Sequence, residues 1–75
     1  MPNRATRVYV YNFEHIRERE ETNASVQSLV ERAGVEIANN LAMPVQIEDL
    51  NGNIMLSNKE LTRLAWEYID KQLVK

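Results

Sequence analysis

The segment around Asp49 has the spacing of a calcium-binding loop. Oxygen-bearing side chains at Asp49, Asn51 and Asn53, with Glu60 eleven positions after Asp49, match the ligand order of an EF-hand. That loop needs glycine at its sixth position for a sharp turn, and this sequence has Ile54 there. The residues before the loop are typical of a strand instead of an incoming helix. We therefore expect a turn here and predict no metal site.

The other residue types that carry out catalysis lack suitable neighbours in the sequence. His15 is the single histidine, so no multi-histidine metal site can form, and there is no cysteine for thiol chemistry. Ser25, Ser28 and Ser57 have no evident base, and Ser57 is better explained as a helix cap. The carboxylates of Glu20-Glu21 lie in a charged stretch, where we expect no raised pKa. The sequence therefore predicts a protein that is not an enzyme and has no cofactor.

Composition narrows the choice of partners. Nine basic and eleven acidic residues give a net charge of −2, which argues against a broad phosphate-binding surface.

No apolar run approaches the ~20 residues that cross a bilayer, so we expect no membrane span. Residues 1–4 are not followed by an apolar signal core, which favours a cytoplasmic location. The length predicts a single small domain over 1–75.

Two segments have the periodicity of amphipathic helices. Apolar residues recur at spacings of three and four over 23–41 and again over 58–74. Asn23 is the expected N-cap of the first helix, and Gly34 near its apolar stripe predicts close approach to a neighbour. Ser57-Asn58-Lys59-Glu60 is a capping box that marks the start of the second helix.

The first clear segment, 6–13, is rich in Val and Tyr and predicts a strand. Its side chains alternate, so the valines share one face and the aromatic residues share the other. The next segment, 14–22, is mostly charged, and we interpret it as a solvated connection or the exposed first turn of a helix.

Asn51-Gly52 predicts a hairpin over 45–57. A two-residue loop there places Ile47 opposite Leu56 and Asp49 opposite Ile54. A three-residue loop with a glycine bulge is the alternative, and it places Ile54 beside Glu48. We favour the first register because it gathers the aliphatic side chains on one face.

The element order β-α-β-β-α predicts a two-layer α+β sandwich with a three-stranded sheet and both helices on one face. The aliphatic side chains of the sheet are expected to meet the helices, and the aromatic side chains to remain uncovered. Two alternatives stay open: the aromatic residues form the core and the valines lie outside, or 14–22 folds back over the aromatic face. The expected helix-facing set is Val8, Val10, Val45, Ile47, Ile54 and Leu56, and the uncovered set is Tyr9, Tyr11, Phe13, Leu50 and Met55.

An uncovered aromatic face of this size predicts a protein-binding module. It would be a homodimer, or an adaptor or inhibitor that docks on a larger protein. The alternative function is single-stranded nucleic-acid or DNA binding, with aromatic rings stacking on bases, which the net negative charge disfavours. The expected contact residues are Tyr9, Tyr11, Phe13 and Met55, with Trp66 as a second anchor and Arg7, Arg17 and Arg19 as rim charges.

Overall fold

A computed structural model describes residues 4–73 and shows a four-stranded antiparallel sheet with two helices on one face. The predicted α+β class is confirmed, but the sheet has four strands and not three, in the order β2-β1-β3-β4. None of the helices in residues 4–73 is long and apolar enough to cross a membrane. The elements are β1 (Arg7–Phe13), β2 (Ile16–Thr22), α1 (Val26–Ala38), β3 (Met43–Asp49), β4 (Ile54–Leu56) and α2 (Asn58–Leu73).

The additional strand is β2, which forms a hairpin with β1. Glu14 and His15 make the connecting turn with φ angles of 51° and 69°, the left-handed pair that a two-residue hairpin loop requires. The interpretation of 14–22 as a connection or helical turn was therefore wrong. Its residues are weak strand formers, and contacts distant in sequence hold them in the sheet: Arg19 pairs with Glu48 and Glu20 pairs with Arg32.

The face of β1 that meets the helices is the opposite of the predicted one. Tyr9 lies opposite Ile47 of β3, and directly opposed residues in an antiparallel pair share a face. Both side chains are 0% exposed and pack with Leu29, Ala33 and Leu61 of the two helices. The expectation that β1 turns its valines toward the helices was therefore wrong.

Both helix starts depend on serine caps. In α1 the Ser25 hydroxyl accepts from the backbone N–H of Ser28 at 3.1 Å, so the helix starts two residues later than the predicted Asn23 cap. In α2 the Ser57 hydroxyl accepts from the N–H of Glu60 at 3.3 Å, which confirms the predicted start. The Glu60 carboxylate lies 3.4 Å from the Ser57 hydroxyl.

The first helix also ends earlier than its apolar periodicity predicted. Asn40 has a φ of 58°, and the Leu41 N–H donates to the Glu36 carbonyl at 2.8 Å. This is a Schellman termination, which turns the chain out of the helix. Leu41, predicted as the last residue of the stripe, lies outside α1 and is exposed. The predicted end of the second helix at residue 74 lies outside the described residues.

The β3–β4 hairpin contains parts of both predicted registers. The Asp49 carbonyl accepts from the Gly52 N–H at 3.1 Å and Gly52 has a φ of 89°, as in the three-residue loop with a glycine bulge. Near the turn Ile54 lies opposite Glu48, which is the alternative register. A bulge then shifts the pairing, so that Leu56 lies opposite Ile47 as in the favoured register.

The two helices pack closely together at Gly34, the position where the sequence predicted close approach to a neighbour. A β-carbon at this position would lie 2.8 Å from Tyr68 Cδ2 and 3.2 Å from the Ala65 carbonyl oxygen. The missing side chain therefore lets the Tyr68 ring and the backbone of α2 pack directly on α1.

We expect Gly34→Ala to lower the free energy of unfolding by about 1–3 kcal/mol, because the added methyl group overpacks the helix contact. This cost exceeds the gain of ~1 kcal/mol in helix propensity. Urea denaturation measures the difference. In a Tyr68→Ala background, Gly34→Ala should cost less stability because the tyrosine ring that the methyl group meets is absent. If Gly34→Ala is as stable as the unsubstituted chain, or more stable, the packing argument is wrong.

Candidate functional site

On the helix side of the sheet, the tyrosines of β1 belong to a closed polar cluster. The Tyr9 hydroxyl donates to Glu36 Oε1 at 2.7 Å. The Arg32 guanidinium lies over the Tyr9 ring at 4.5 Å and over the Tyr11 ring at 5.4 Å from the centroids. Burial of Tyr9, and then its bond to Glu36, raise the pKa of its hydroxyl far above the ordinary range. The hydroxyl is therefore a neutral donor that stabilises the core.

Arg32 connects this cluster to the edge of the sheet. It binds Glu20 of β2 through two nitrogens at 2.8 and 3.0 Å, and Glu36 through Nε at 3.0 Å. The hydrogen bonds to Arg32 hold the pKa of Glu20 below its usual range. Tyr9 and Tyr11 thus lie on the covered face, and the prediction that this face is open was wrong.

On the face of the sheet that the helices do not cover, an ion pair lies over the valines of β1. Arg19 of β2 binds Glu48 of β3 at 2.7 and 3.3 Å, and this bridge crosses β1 between Val8 and Val10. Val10 is consequently only 1% exposed although no helix covers it. Hydrogen bonds from Arg19, and then from Gln46, lower the pKa of the Glu48 carboxyl. This face presents charge to solvent instead of valine.

Exposed apolar side chains gather at one end of the sheet, which we call the apolar end. Phe13 and Ile16 lie opposite each other beside the β1–β2 turn, and Met43 lies opposite Asn12, the neighbour of Phe13. Leu41 and Met43 line a cavity of about 480 Å³ together with residues of that turn. The four members are between 47% and 62% exposed: Phe13, Ile16, Leu41 and Met43.

The predicted contact residues are divided among several locations. Phe13 belongs to the apolar end, and Arg17 lies near it, donating to Asn12 Oδ1 at 3.4 Å. Arg7 donates to the Ala24 carbonyl and Arg19 to Glu48, so both predicted rim charges have intramolecular partners. Met55 occupies the bulge of β4 and Trp66 is half-exposed on α2, on elements that do not form the apolar end.

Sequence reasoning missed three members of the apolar end. Leu41 was assigned to the stripe of the first helix, and Ile16 was the lone aliphatic residue of a segment that was not recognised as a strand. Asn39-Asn40 is a helix-stop signal in the sequence, because asparagine readily takes the left-handed conformation that ends helices; the apolar stripe was nevertheless extended to Leu41. No pattern in the sequence around Met43 indicates that its side chain is exposed at this end of the sheet.

The oxygen-bearing side chains around Asp49 take part in the β3–β4 turn. Residues 4–73 contain no group of three or more His, Cys, Asp or Glu placed to hold a metal ion. The Asp49 carboxylate accepts from the N–H groups of Asn51 and Asn53 and from the Asn53 side chain, so its oxygens serve the turn. Those bonds, led by Asn53, lower the pKa of Asp49.

Comparison with known proteins gives no relative from which to infer function. No family model matches the chain, and neither curated proteins nor solved structures show a significant similarity to it.

We expect Tyr9→Phe to lower the free energy of unfolding by about 1–2 kcal/mol, because it leaves Glu36 without its buried donor while the ring stays in place. Thermal or urea denaturation measures the loss. Tyr11→Phe is the matched control: its ring also lies beneath Arg32 but is less buried, so a smaller cost is expected. Equal costs for the two variants would contradict the role given to the Tyr9 hydroxyl.

Stability should fall in acid partly through Glu48. Its folded-state pKa lies below the unfolded value of about 4.3, so it contributes stability above that value and loses it as pH falls through the folded pKa. We expect Glu48→Gln to flatten the dependence of the urea midpoint on pH between about 5 and 3. The matched control is Glu18→Gln, which removes an exposed carboxylate of β2, and the flattening should be larger for Glu48→Gln. If the urea midpoint of Glu48→Gln depends on pH as steeply as that of the unsubstituted chain, the Glu48 carboxylate does not contribute to the acid sensitivity.

Proposed function

We propose that the protein is a non-enzymatic binding module that docks on a larger protein through the apolar end. The observation that carries the proposal is the exposure of four large apolar side chains at this end of the sheet: Phe13, Ile16, Leu41 and Met43. Leu41 and Met43 line its cavity, whereas Phe13 and Ile16 lie beside the turn on the other face of the sheet from Met43. The aromatic sheet face of the original hypothesis has no part in it, because Tyr9 and Tyr11 lie beneath the helices.

The chemistry of the apolar end is that of an interface core with a polar rim. Burying exposed apolar area contributes roughly 25 cal/mol per Å², and Phe and Met are enriched where interfaces are fully desolvated. Glu14 and His15 line the same cavity, and Arg17 stands nearby, so charged and polar groups border the apolar side chains. An apolar side chain of the partner would enter the cavity, and binding would act by occupying the partner's surface.

Two other surfaces are weaker candidates for docking. On the uncovered sheet face, a partner would have to desolvate the Arg19–Glu48 pair, which costs free energy that the pair's own attraction does not return. Base stacking on Tyr9 would require unfolding, since that ring is wholly buried, so the nucleic-acid alternative loses its main support. We retain a cytoplasmic location as part of the proposal.

The apolar end can be tested against an equally apolar surface at the opposite end of the sheet. In Leu41→Ser/Met43→Ser, two exposed contacts are lost and capture of the partner should weaken by about tenfold or more. The matched control is Leu50→Ser/Ile54→Ser, which removes two side chains of similar exposure.

The partner would be identified by photo-crosslinking in the native cell with the reactive group at Met43, and its retention by each variant then quantified. Circular dichroism checks that both variants remain folded. The proposal would be overturned if Leu41→Ser/Met43→Ser kept the partner while Leu50→Ser/Ile54→Ser lost it. It would also be overturned if both variants kept the partner equally.

A further inference from the structure

The two edges of the sheet are protected to different degrees. β4 is three residues long and carries a bulge, and both features discourage the addition of another strand. β2 is seven residues long, pairs with β1 in one uninterrupted register and contains no proline. Six of its seven residues are exposed. The edge at β2 is therefore an uninterrupted row of backbone groups, bordered by charged side chains of both signs.

The hydrogen-bonding direction of each residue in β2 follows from the turn. A two-residue loop at Glu14–His15 makes Phe13 and Ile16 a hydrogen-bonded pair, so alternate residues from Ile16 onward bond to β1. The Thr22 carbonyl accepts from the Thr6 N–H at 2.9 Å, which agrees with this alternation. The residues between them direct their N–H and C=O groups outward: Arg17, Arg19 and Glu21.

We infer that a second copy of this chain adds to the sheet along β2, antiparallel and centred on Glu20, so that Arg19 of each copy lies opposite Glu21 of the other. Two outward-facing residues of each strand then form hydrogen-bonded pairs with the second copy, which would extend the sheet to eight strands. This inference goes beyond the proposed function and uses a different surface from the apolar end.

Charge selects this register among the symmetric ones. A two-fold axis between antiparallel strands places one residue opposite its own copy. Centring on Glu18 places Arg17 opposite Arg19 twice. Centring on Arg19 gives two Arg17–Glu21 pairs of opposite sign, but these are outnumbered by two Glu18–Glu20 pairs and one pair of arginines. Like charges directly opposed are destabilising. Centring on Glu20 gives two Arg19–Glu21 pairs of opposite sign, and centring nearer either strand end shortens the overlap.

The single like pair in the chosen register, Glu20 with its own copy, is already neutralised. Each Glu20 is held by two bonds from Arg32 of its own chain, at 2.8 and 3.0 Å. The axis would therefore pass between two Glu20 carboxylates, each bound to the Arg32 guanidinium of its own chain. On the other face Arg19 would lie between Glu48 of its own chain and Glu21 of the second copy, so its cation has an acidic partner on either side.

Sedimentation over a wide range of concentrations tests the association and its charge dependence. We expect a monomer–dimer equilibrium that Glu21→Arg weakens by about tenfold or more, because an arginine at position 21 of each copy would lie opposite Arg19 of the other. Glu18→Arg changes the net charge equally but lies opposite Thr22, so its dissociation constant should stay within about threefold of the original. A monomer at every concentration, or equal effects of the two substitutions, would overturn the proposal.

Because the natural chain has no cysteine, single cysteines can report the register independently. Glu20→Cys places two sulfurs across a non-hydrogen-bonded pair with a Cα separation of about 4.5 Å, within disulfide range. Glu18→Cys places them well over 7 Å apart, too far to bridge. Oxidation should link the Glu20→Cys chains and leave Glu18→Cys unlinked, with circular dichroism confirming that both are folded. Preferential linking through Glu18→Cys would overturn the proposed register.

Discussion

The complete burial of Tyr9 is the constraint on which the rest of the molecule depends. A phenol in a dry core needs an acceptor for its hydroxyl, and Glu36 provides one at 2.7 Å. Glu36 in turn is held by Arg32, whose guanidinium covers both tyrosine rings and reaches Glu20 on the edge strand. One buried ring thereby determines which face of β1 is covered, where α1 lies and how β2 is attached.

The elements that the sequence predicted well have local causes. The serine cap of α2, the left-handed Gly52 of the β3–β4 turn and the contact at Gly34 depend on neighbouring residues or on one missing side chain. The orientation of β1 could not be predicted in this way. Valines alternate with aromatic residues there, so the period of two identifies two apolar faces without indicating which one the helices cover. The pairing of Tyr9 with Ile47, distant in sequence, makes that choice.

The edge strand β2 and the apolar end were missed for a related reason. Strand propensity fails for a run of Arg and Glu, and what holds it is an ion pair on each face of the sheet, Arg19 with Glu48 and Glu20 with Arg32. Without β2, the position of Ile16 beside Phe13 could not be predicted. Leu41 was counted into a helix that in fact ends at Ala38. Of the residues first chosen as contacts, Phe13 and Arg17 remain at the candidate site because they flank the turn.

The central position of β1 has a consequence for how the chain folds. β1 and β2 form one hairpin, β3 and β4 another, and all of α1 separates them along the chain. An isolated two-stranded hairpin is marginal in water, so neither half of the sheet persists until β1 meets β3. That meeting closes a loop of about thirty residues, an entropic cost incurred before the core contacts of Tyr9 and Ile47 form. We therefore expect the joining of the two hairpins to be the slowest step of folding, with the four strands becoming stable together.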